Sequence, residues 1–366
     1  MFTQIIEKID NHVKLTRDDL IFLLSLENSE EIQTLYDKAY RFKRQVIGNK
    51  VHFRGIIEFS NICTKDCYYC GIRKSNGNVD RFTMDRDEIL EAAIWAHQNA
   101  YGSLVLQSGE RSDEAFVDFI ESLLQEIKEH SQGELGITLS LGEQSKETYQ
   151  RWYDAGAHRY LLRIESSNPE LYAKLHPADH SHEIRKQCLS LLRDVGYQVG
   201  TGVMIGLPGQ TTADLADDIL FFESRDIDMI GMGPYIPHSD TPLGADAETF
   251  DTIKERQLTL GLKMIAVTRL YLQDVNIAAT TALQALHPKG REKGLQAGAN
   301  IIMPNVTATQ YRVSYQLYDG KPCINENSSL CRGCLENRIG TIGESIGFNE
   351  WGDSQHFKKR QISEIS

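Results

Sequence analysis

The stretch VHFRGIIEFSNICTKDCYYC, residues 51–70, joins an apolar run to a cluster of three cysteines. The run VHFRGIIEFS is typical of a buried β-strand. Cys63, Cys67 and Cys70 follow directly with the spacing C-x3-C-x2-C, which places them at the carboxyl end of that strand. Active sites of parallel barrels lie at this end, so the stretch predicts both a parallel α/β fold and a site within it.

Short apolar runs and amphipathic helical stretches alternate along most of the chain. Such alternation indicates parallel strands joined by right-handed crossovers, and eight candidate strands match a closed barrel. An open doubly wound sheet also alternates but usually carries fewer strands. We therefore expect an α/β fold with a full (β/α)8 TIM-type barrel. The candidate strands are VHFRGIIEFS (51–60), YGSLVLQSG (101–109), LGITLSLG (135–142), HRYLLRIES (158–166), QVGTGVMIG (198–206), DMIGMGPYI (228–236), NIAATTAL (276–283) and NIIMPNVT (300–307).

Three regions are expected. Residues 1–47 carry apolar residues at helical spacing and form an N-terminal helical lead-in. Residues 48–315 form the barrel. Residues 316–366 leave the strand–helix pattern and form a C-terminal extension with a second group of cysteines.

Composition narrows the function classes. The 366 residues carry a net charge of -12, which argues against bulk binding to nucleic acid or to an anionic membrane but leaves room for a small basic pocket. No apolar run is long enough to cross a bilayer, and the N-terminus lacks the apolar core of a signal peptide. We therefore expect a cytoplasmic protein with neither nucleic acid nor membrane as a partner.

The cysteines indicate a metal or cluster rather than disulfides. Six of the seven fall in two tight triplets, and an odd total argues against a disulfide framework. Structural zinc normally takes four protein ligands, and no histidine lies inside the loop of Cys63, Cys67 and Cys70. A [4Fe-4S] cluster held by three thiolates fits better, because it leaves one iron open to bind a ligand.

The spacing C-x3-C-x2-C, with Tyr69 before the last cysteine, resembles the signature of the radical S-adenosylmethionine (SAM) superfamily. The resemblance implies that the open iron chelates the amino and carboxylate groups of SAM. An electron from the reduced cluster, delivered by a donor such as ferredoxin or flavodoxin, then cleaves a carbon–sulfur bond and releases a 5′-deoxyadenosyl radical.

Other strand ends resemble SAM-binding segments of the same superfamily. QSGE, residues 107–110, is similar to a Gly-Gly-Glu segment in which a serine replaces the first glycine. GVMIGLPGQT, residues 202–211, is similar to the segment that packs against adenine; it contains no lysine and is not a phosphate loop. The cofactor-binding residues that the resemblance implies are Tyr69, Ser108, Gly109, Glu110, Ser140, Arg163, Glu165, Arg185 and Met204.

Charged residues also mark the barrel interior. Alternation places Arg159, Arg163 and Glu165 on one face of the fourth strand, and helices cover the outside of a parallel barrel. These side chains must therefore point into the lumen, as Arg54 on the first strand is expected to do. They form either structural ion pairs or a pocket for an anionic substrate or carboxylate.

Within the superfamily the chain resembles the HydE family of [FeFe]-hydrogenase maturases, over roughly residues 54–334. That resemblance implies a small iron-carbonyl-cyanide-cysteine substrate, the maturases HydG and HydF as partners, and Tyr315 as a catalytic residue near the reacting end of SAM. The implied substrate contacts are Arg54, Gln107, Arg159, Thr280 and Thr281, the two threonines on the seventh strand. The segments that carry it are LQSGE, LLRIESSNPE, MIGLPGQT, PYIPHSDTPL, ATTAL and REKGLQAGANIIMPN.

The second triplet, Cys323, Cys331 and Cys334, has the spacing C-x7-C-x2-C. It predicts a second iron–sulfur site, [2Fe-2S] or [4Fe-4S], with one open position. Because it follows the last strand, we expect it away from the barrel mouth. The resemblance implies that this cluster is variable in the family and dispensable for activity. The seventh cysteine, Cys188, falls on the apolar face of a helix and is expected to be an inert core thiol.

Three alternatives remain open from the sequence. A lysine mutase similar to methylornithine synthase shares the barrel and the SAM segments but is not expected to carry the C-x7-C-x2-C tail. A biotin synthase-like enzyme needs further cysteines on barrel strands, which this chain lacks. A non-enzymatic iron–sulfur scaffold would leave Arg163, Glu165 and the glycines at the strand ends without a purpose.

Overall fold

The computed structural model describes residues 1–245 and 247–365. Every predicted strand contains at least one observed strand. The strands are β1 (Lys50–Ser60), β2 (Ser103–Ser108), β3 (Gly136–Ser140), β4 (Arg159–Leu161), β5 (Gln198–Thr201), β6 (Met204–Ile205), β7 (Met229–Ile230), β8 (Gly233–Pro234), β9 (Asn276–Ile277), β10 (Ile301–Ile302) and β11 (Ser345–Ile346).

Helices separate the strands as the alternation predicts, and two further helices close the chain. They are α1 (Phe2–Asp10), α2 (Arg17–Leu24), α3 (Ser29–Val46), α4 (Arg86–Gln98), α5 (Glu114–His130), α6 (Lys146–Asp154), α7 (Pro169–Leu175), α8 (His182–Val195), α9 (Thr212–Ser224), α10 (Pro242–Ala245), α11 (Phe250–Leu272), α12 (Thr281–Leu286), α13 (Gly290–Gln296), α14 (Thr309–Arg312), α15 (Ser328–Thr341) and α16 (Gln355–Ile365). None of these helices is apolar over a length that would cross a bilayer.

Helix ends follow the local sequence signals. The backbone N–H of Asp85 donates to the Glu88 carboxylate at 3.0 Å, which completes the capping arrangement expected at the start of α4. α8 ends at Gly196, whose φ of 107° is a left-handed conformation that glycine adopts without a steric penalty.

Eight parallel strands form the barrel, in the order β10-β1-β2-β3-β4-β5-β7-β9. The ring closes between its two ends, where Asn300 N–H donates to Ile277 O and Ala279 N–H donates to Ile301 O, each at 2.9 Å. This closed ring confirms the predicted TIM-type barrel.

The fifth and sixth predicted strands each split into two short strands, and the second pieces, β6 and β8, pair with each other. The break coincides with a close approach of two backbones, because a Cβ atom on Gly202 would lie 2.1 Å from Gly231 O. Only glycine fits there, and the bend carries Met204 towards the carboxyl end of the barrel.

The lead-in and the extension pack against the barrel rather than apart from it. α3 packs on α11, and β11 pairs in parallel with the start of β1. The main apolar core joins Leu20 of the lead-in, Ile57 of the barrel and Ile339 of the extension. The region boundaries at residues 47 and 315 stay predictions.

Candidate active site

A cavity of about 360 Å³ lies at the carboxyl ends of the barrel strands. Nearly all of the predicted site residues line it, which places the cysteine loop and the ends of six strands around one space. Those that line it are Cys63, Cys67, Tyr69, Cys70, Gln107, Ser108, Gly109, Glu110, Ser140, Arg163, Glu165, Arg185, Met204, Thr280, Thr281, Tyr315 and Cys323.

The cysteine loop presents three thiols to this cavity. Cys63 Sγ accepts backbone N–H groups from Lys65 at 3.4 Å and from Glu110 at 3.3 Å, contacts that favour a thiolate. Burial raises the pKa of Cys67 to about 12 and that of Cys70 well above its usual range. Thiolates at these two positions therefore need a neighbouring cation, and a coordinated metal supplies one.

The donor set fits a cluster better than a single ion. Among residues 1–245 and 247–365, the group whose ligand atoms all lie within 4.8 Å of one another is Cys323, Glu326 and Cys331, and the first triplet forms no such group. Thiolates that each bind a different iron of a [4Fe-4S] cluster need to lie farther apart than the ligands of one zinc ion. Cys63, Cys67 and Cys70 therefore fit a [4Fe-4S] cluster with one open iron.

One lysine and one arginine side chain connect the cysteine loop to the neighbouring strand ends. Lys65 Nζ lies 2.8 Å from Glu143 Oε2 and 3.3 Å from Glu110 Oε1. Arg185 Nε lies 2.7 Å from Glu143 Oε1, and its Nη2 lies 3.8 Å from Glu110 Oε2. Burial raises the pKa of Glu110, and the charge of Arg185 opposes that rise. Two acidic and two basic side chains therefore face one another, so each of these buried groups has a partner of opposite charge beside the cavity.

Sequence reasoning missed Glu143 and Lys65. Glu143 follows β3 by three residues, so the rule that polar residues at strand ends form the site could have found it. Lys65 lies between two of the cysteines, and the spacing of metal ligands carries no information about the residues between them.

The position directly after β2, which Gly109 occupies, has no room for a side chain. A Cβ atom there would lie 2.3 Å from Ile62 O and 2.8 Å from Cys63 Cβ, so any side chain would push the cysteine loop away. The neighbouring Ser108 lines the cavity, and its hydroxyl donates to Gly109 O at 2.7 Å.

Arg163 and Glu165 form an ion pair on the cavity wall. Arg163 Nε donates to Glu165 Oε1 at 2.9 Å, and Arg163 Nη2 donates to Oε2 at 2.8 Å. Glu165 has a φ of 64°, uncommon for a residue with a side chain, and its backbone C=O accepts the N–H of Met204 at 3.0 Å. Non-glycine residues held in this conformation are concentrated at functional sites.

Tyr315 lies on a segment that folds back over the barrel mouth. Gln107 Nε2 donates to Tyr315 Oη at 3.2 Å, and Lys321 Nζ donates to Tyr315 O at 3.0 Å. Lys321 also pairs with Glu58 of β1 at 2.5 Å, and Gly71 N–H donates to Leu317 O at 3.1 Å. These contacts fix the segment beside the cysteine loop.

For Cys323 alone, the same segment corrects the expectation that the second triplet lies away from the barrel mouth. Because it returns across the strand ends, Cys323 lines the cavity. Cys323 and Cys331 group with Glu326, whereas Cys334 is exposed and stands outside that group. Burial confirms the prediction for Cys188, which lies in the main apolar core.

Thr280 and Thr281 are not on the seventh strand. β9 ends at Ile277, and Thr280 occupies the N-cap position of α12 without a side-chain capping hydrogen bond. The strand is shorter than its apolar run because the backbone turns into a helix, and this turn leaves both threonines on the cavity wall.

Arg54 and Arg159 line a different part of the lumen, which corrects the prediction that they contact a substrate in this cavity. Both side chains are fully buried at the amino ends of the strands, where the C-terminal extension plugs the barrel. Arg54 Nη2 donates to Gly352 O at 3.1 Å, and Arg159 Nη1 donates to Asp353 Oδ1 at 2.6 Å. Alternation predicted their inward direction correctly, but it carries no information about depth along the barrel axis.

Comparisons with known proteins identify the family of the chain. The family model of the radical SAM superfamily matches residues 57–222. The chain is 45% identical over 350 residues to the [FeFe] hydrogenase maturase subunit HydE of Thermotoga maritima, covering 95% of this chain and 96% of that protein. It is 28% identical to 3-methylornithine synthase of Methanosarcina acetivorans, over 81% of each chain.

Solved structures share the fold. The crystal structure of methylornithine synthase (PylB) aligns with a TM-score of 0.80 at 24% identity, over 94% of this chain and 97% of that one. The FeFe-hydrogenase maturase HydG of Carboxydothermus hydrogenoformans aligns with a TM-score of 0.79 at 19% identity, over 95% of this chain and 79% of that one.

Proposed function

The chain belongs to the family of the [FeFe] hydrogenase maturase subunit HydE, within the radical SAM superfamily, and we propose that its barrel cavity performs the SAM-dependent step of hydrogenase cofactor assembly. The family brings a [4Fe-4S] cluster and SAM, and the enzyme is a radical SAM hydrogenase maturase. The observation that carries the proposal is the convergence of Cys63, Cys67 and Cys70 with Arg163 and Glu165 around one cavity.

In this proposal the chain's residues hold and orient the two cofactors. Cys63, Cys67 and Cys70 bind three irons, and Tyr69 packs beside them. Glu165 accepts hydrogen bonds from SAM, and Arg163 holds that carboxylate in place. When bound, the reduced cluster and SAM supply one-electron cleavage of a carbon–sulfur bond and a 5′-deoxyadenosyl radical.

The remaining predicted contacts divide between cofactor and substrate. Ser108, Gly109, Glu110, Ser140, Arg185 and Met204 are proposed to surround SAM, and Gln107, Thr280, Thr281 and Tyr315 to face the substrate. Support comes from their common position on the cavity wall. Burial raises the pKa of Tyr315, so its phenol keeps its proton and can donate it in a hydrogen bond.

The proposed substrate is a small iron-carbonyl-cyanide-cysteine complex, with HydG and HydF as partner maturases and a ferredoxin or flavodoxin as electron donor. The alignment with the HydE of Thermotoga maritima, 45% identical over 95% of the chain, supports this choice over the methylornithine synthase alternative. We further propose a metal site at Cys323, Glu326 and Cys331, supported by their short mutual distances. A cytoplasmic location remains a prediction.

Anaerobic maturation of an inactive [FeFe] hydrogenase tests the function. Hydrogenase activity should require this protein together with the other maturation proteins, SAM and dithionite. Cys67→Ala should abolish it because the cluster loses one thiolate, whereas Cys188→Ala, a core cysteine, should retain it. Turnover of lysine to methylornithine, with no effect on hydrogenase, would replace the proposal with the alternative.

A further inference from the structure

The turn that follows β4 holds Glu165 in an uncommon conformation. A residue with a side chain keeps a left-handed φ of 64° only when its surroundings hold it there. Two of the holding contacts lie within the barrel: Glu165 N–H donates to Gly202 O, and Glu165 O accepts from Met204 N–H, each at 3.0 Å. Further contacts come through the next two residues, Ser166 and Ser167, which side chains of neighbouring helices contact.

The contact on Ser167 comes from Asp218, an acid of α9. Asp218 Oδ1 accepts both the backbone N–H of Ser167 at 2.7 Å and its hydroxyl at 2.6 Å. The same two segments meet again one residue further along, where Asn168 Nδ2 donates to Asp214 Oδ1 at 2.8 Å. Three hydrogen bonds therefore hold α9 against the residues that follow Glu165.

Asp218 is a costly residue at this position. It is fully buried, and its Oδ2 atom has no hydrogen-bond partner in the described part of the chain. Burial raises its pKa to about 7 against the two hydrogen bonds from Ser167, and the charges of Asp214 and Asp217 on the same helix add to the rise. An apolar residue would avoid this cost. Acids with perturbed pKa values are concentrated at functional sites, which favours a role beyond helix packing.

The helix that carries Asp218 also follows the Met204 segment. Gln210 lies two residues before the start of α9, and its Nε2 donates to Met204 O at 3.0 Å. One helix therefore connects the turn of Glu165 with the strand end of Met204, the two segments that are proposed to contact SAM. Asp218 itself is not among the described residues that line the cavity, so any effect on a ligand there passes through other residues.

We propose that Asp218 is a positioning residue for SAM binding, because through Ser167 it fixes the turn that presents the Glu165 carboxylate to the cofactor. The inference rests on the proposed function for the role of Glu165. Removing the acceptor should release the turn and weaken SAM binding, while the cysteine ligands of the cluster stay in place. An amide oxygen should replace the carboxylate oxygen well, because a pKa near neutrality shows that the neutral form of Asp218 fits the same surroundings.

SAM binding to the cluster-loaded protein tests the assignment. Anaerobic calorimetry without a reductant measures the affinity while no SAM is cleaved. Asp218→Ala should bind SAM about tenfold more weakly than the wild-type protein, and Asp218→Asn should stay within about threefold of it. Asp217→Ala, which removes a partly exposed acid of the same helix that pairs with Arg17, should leave the affinity unchanged. Ser167→Ala removes only the hydroxyl and should weaken binding by about threefold, which keeps the test available if Asp218→Ala does not fold.

A double-mutant cycle separates positioning from a general loss of structure. When Asp218→Ala is combined with Glu165→Gln, it should add less than about threefold to the loss of SAM affinity, because it acts through the carboxylate that is already absent. Iron content should stay at the wild-type level in every variant, since none of them changes a cysteine.

Three results would overturn this proposal alone. One is wild-type SAM affinity in Asp218→Ala or, where that variant does not fold, in Ser167→Ala. Another is a loss of the same factor with and without Glu165→Gln, which would make Asp218 a structural residue. The third is a fall in iron content with unchanged SAM affinity per cluster, which would make Asp218 a support of the cysteine loop. Wild-type affinity in the single variant Glu165→Gln would instead overturn the proposed role of Glu165, and this inference with it.

Discussion

Arg163 and Glu165 hold each other in a fixed orientation on the wall of the barrel cavity, through three hydrogen bonds of 2.9, 3.1 and 2.8 Å. The pair lies two residues apart on a segment that leaves the barrel strand with a left-handed residue at Glu165. A carboxylate held in this way is ready to accept hydrogen bonds from a ligand, since it does not need to reorganise on binding.

Glu165→Gln tests this role. The amide keeps the shape of the side chain but loses the charge that accepts from SAM, so SAM affinity should fall by about tenfold or more. Iron content should stay at the wild-type level because the cysteine loop is untouched. Calorimetry with SAM and iron analysis measure the two quantities. Glu170→Gln, an exposed acid on α7, is the matched control, and wild-type affinity in Glu165→Gln would refute the role.

The tail cysteines should not be equivalent. Cys323, Glu326 and Cys331 place their ligand atoms within 4.8 Å of one another, and Cys334 is exposed outside this group. Cys331→Ala should therefore remove the metal held beyond the first cluster, whereas Cys334→Ala should retain it. Metal analysis of the two purified variants decides between this site and a site built from all three cysteines. Equal loss in both variants would restore the three-cysteine prediction.

The sequence predicted the barrel and the cysteine loop because both depend on local patterns. Strand–helix alternation is set by neighbouring residues, and the three cysteines lie within eight positions. The inward direction of Arg159 followed from alternation in the same way. The depth of Arg159 along the barrel axis could not be predicted in this way, because it depends on a contact with Asp353. That residue is nearly two hundred positions away in the sequence and reaches the barrel floor only in the folded chain.

The floor of the barrel should contribute stability rather than catalysis. Asp353 accepts from Arg159 Nη1 at 2.6 Å and from Gln198 Nε2 at 2.7 Å. Asp353→Asn removes the charge that compensates a fully buried guanidinium, which should cost about 2 kcal/mol of unfolding free energy. Chemical denaturation measures this cost, and 5′-deoxyadenosine formation should be unchanged. Loss of that activity at wild-type stability would return Arg159 to the active site.

A histidine in the extension should give stability a pH dependence. His356 lies 3.1 Å from Asp274 Oδ1 and 2.6 Å from Asp226 Oδ1, and its hydrogen bonds with these two acids raise its pKa to about 8 despite partial burial. A pKa raised on folding gives stability that is complete below the unfolded value of about 6.5 and is lost as pH rises through about 8.

His356→Gln should therefore lower the unfolding free energy by about 1 kcal/mol at about pH 6 and by almost nothing at about pH 9. The figure for about pH 6 allows for the solvent screening that a partly exposed histidine experiences. Thermal unfolding of both proteins at the two pH values measures the difference. A loss of equal size at both would show that the charged form makes no contribution.

Arg291 shows what sequence reasoning missed. It lies in REKGLQAGAN, among residues that are typical of an ordinary helix, and in the folded chain it is buried on the wall of the cavity. Thr280 lines the cavity, but from the start of α12 instead of from the seventh strand, and its contact with a substrate stays a prediction. Both outcomes depend on how segments distant in sequence meet, which local periodicity does not encode.

The central claim is that Cys63, Cys67 and Cys70 leave one iron open for SAM. Mössbauer spectroscopy of protein reconstituted with isotopically enriched iron tests it most directly, on a Cys331→Ala background that lacks the tail site. Adding SAM should change the parameters of a single iron subsite and leave the other irons unchanged. A spectrum that SAM does not alter, in protein with a complete [4Fe-4S] cluster, would contradict the account.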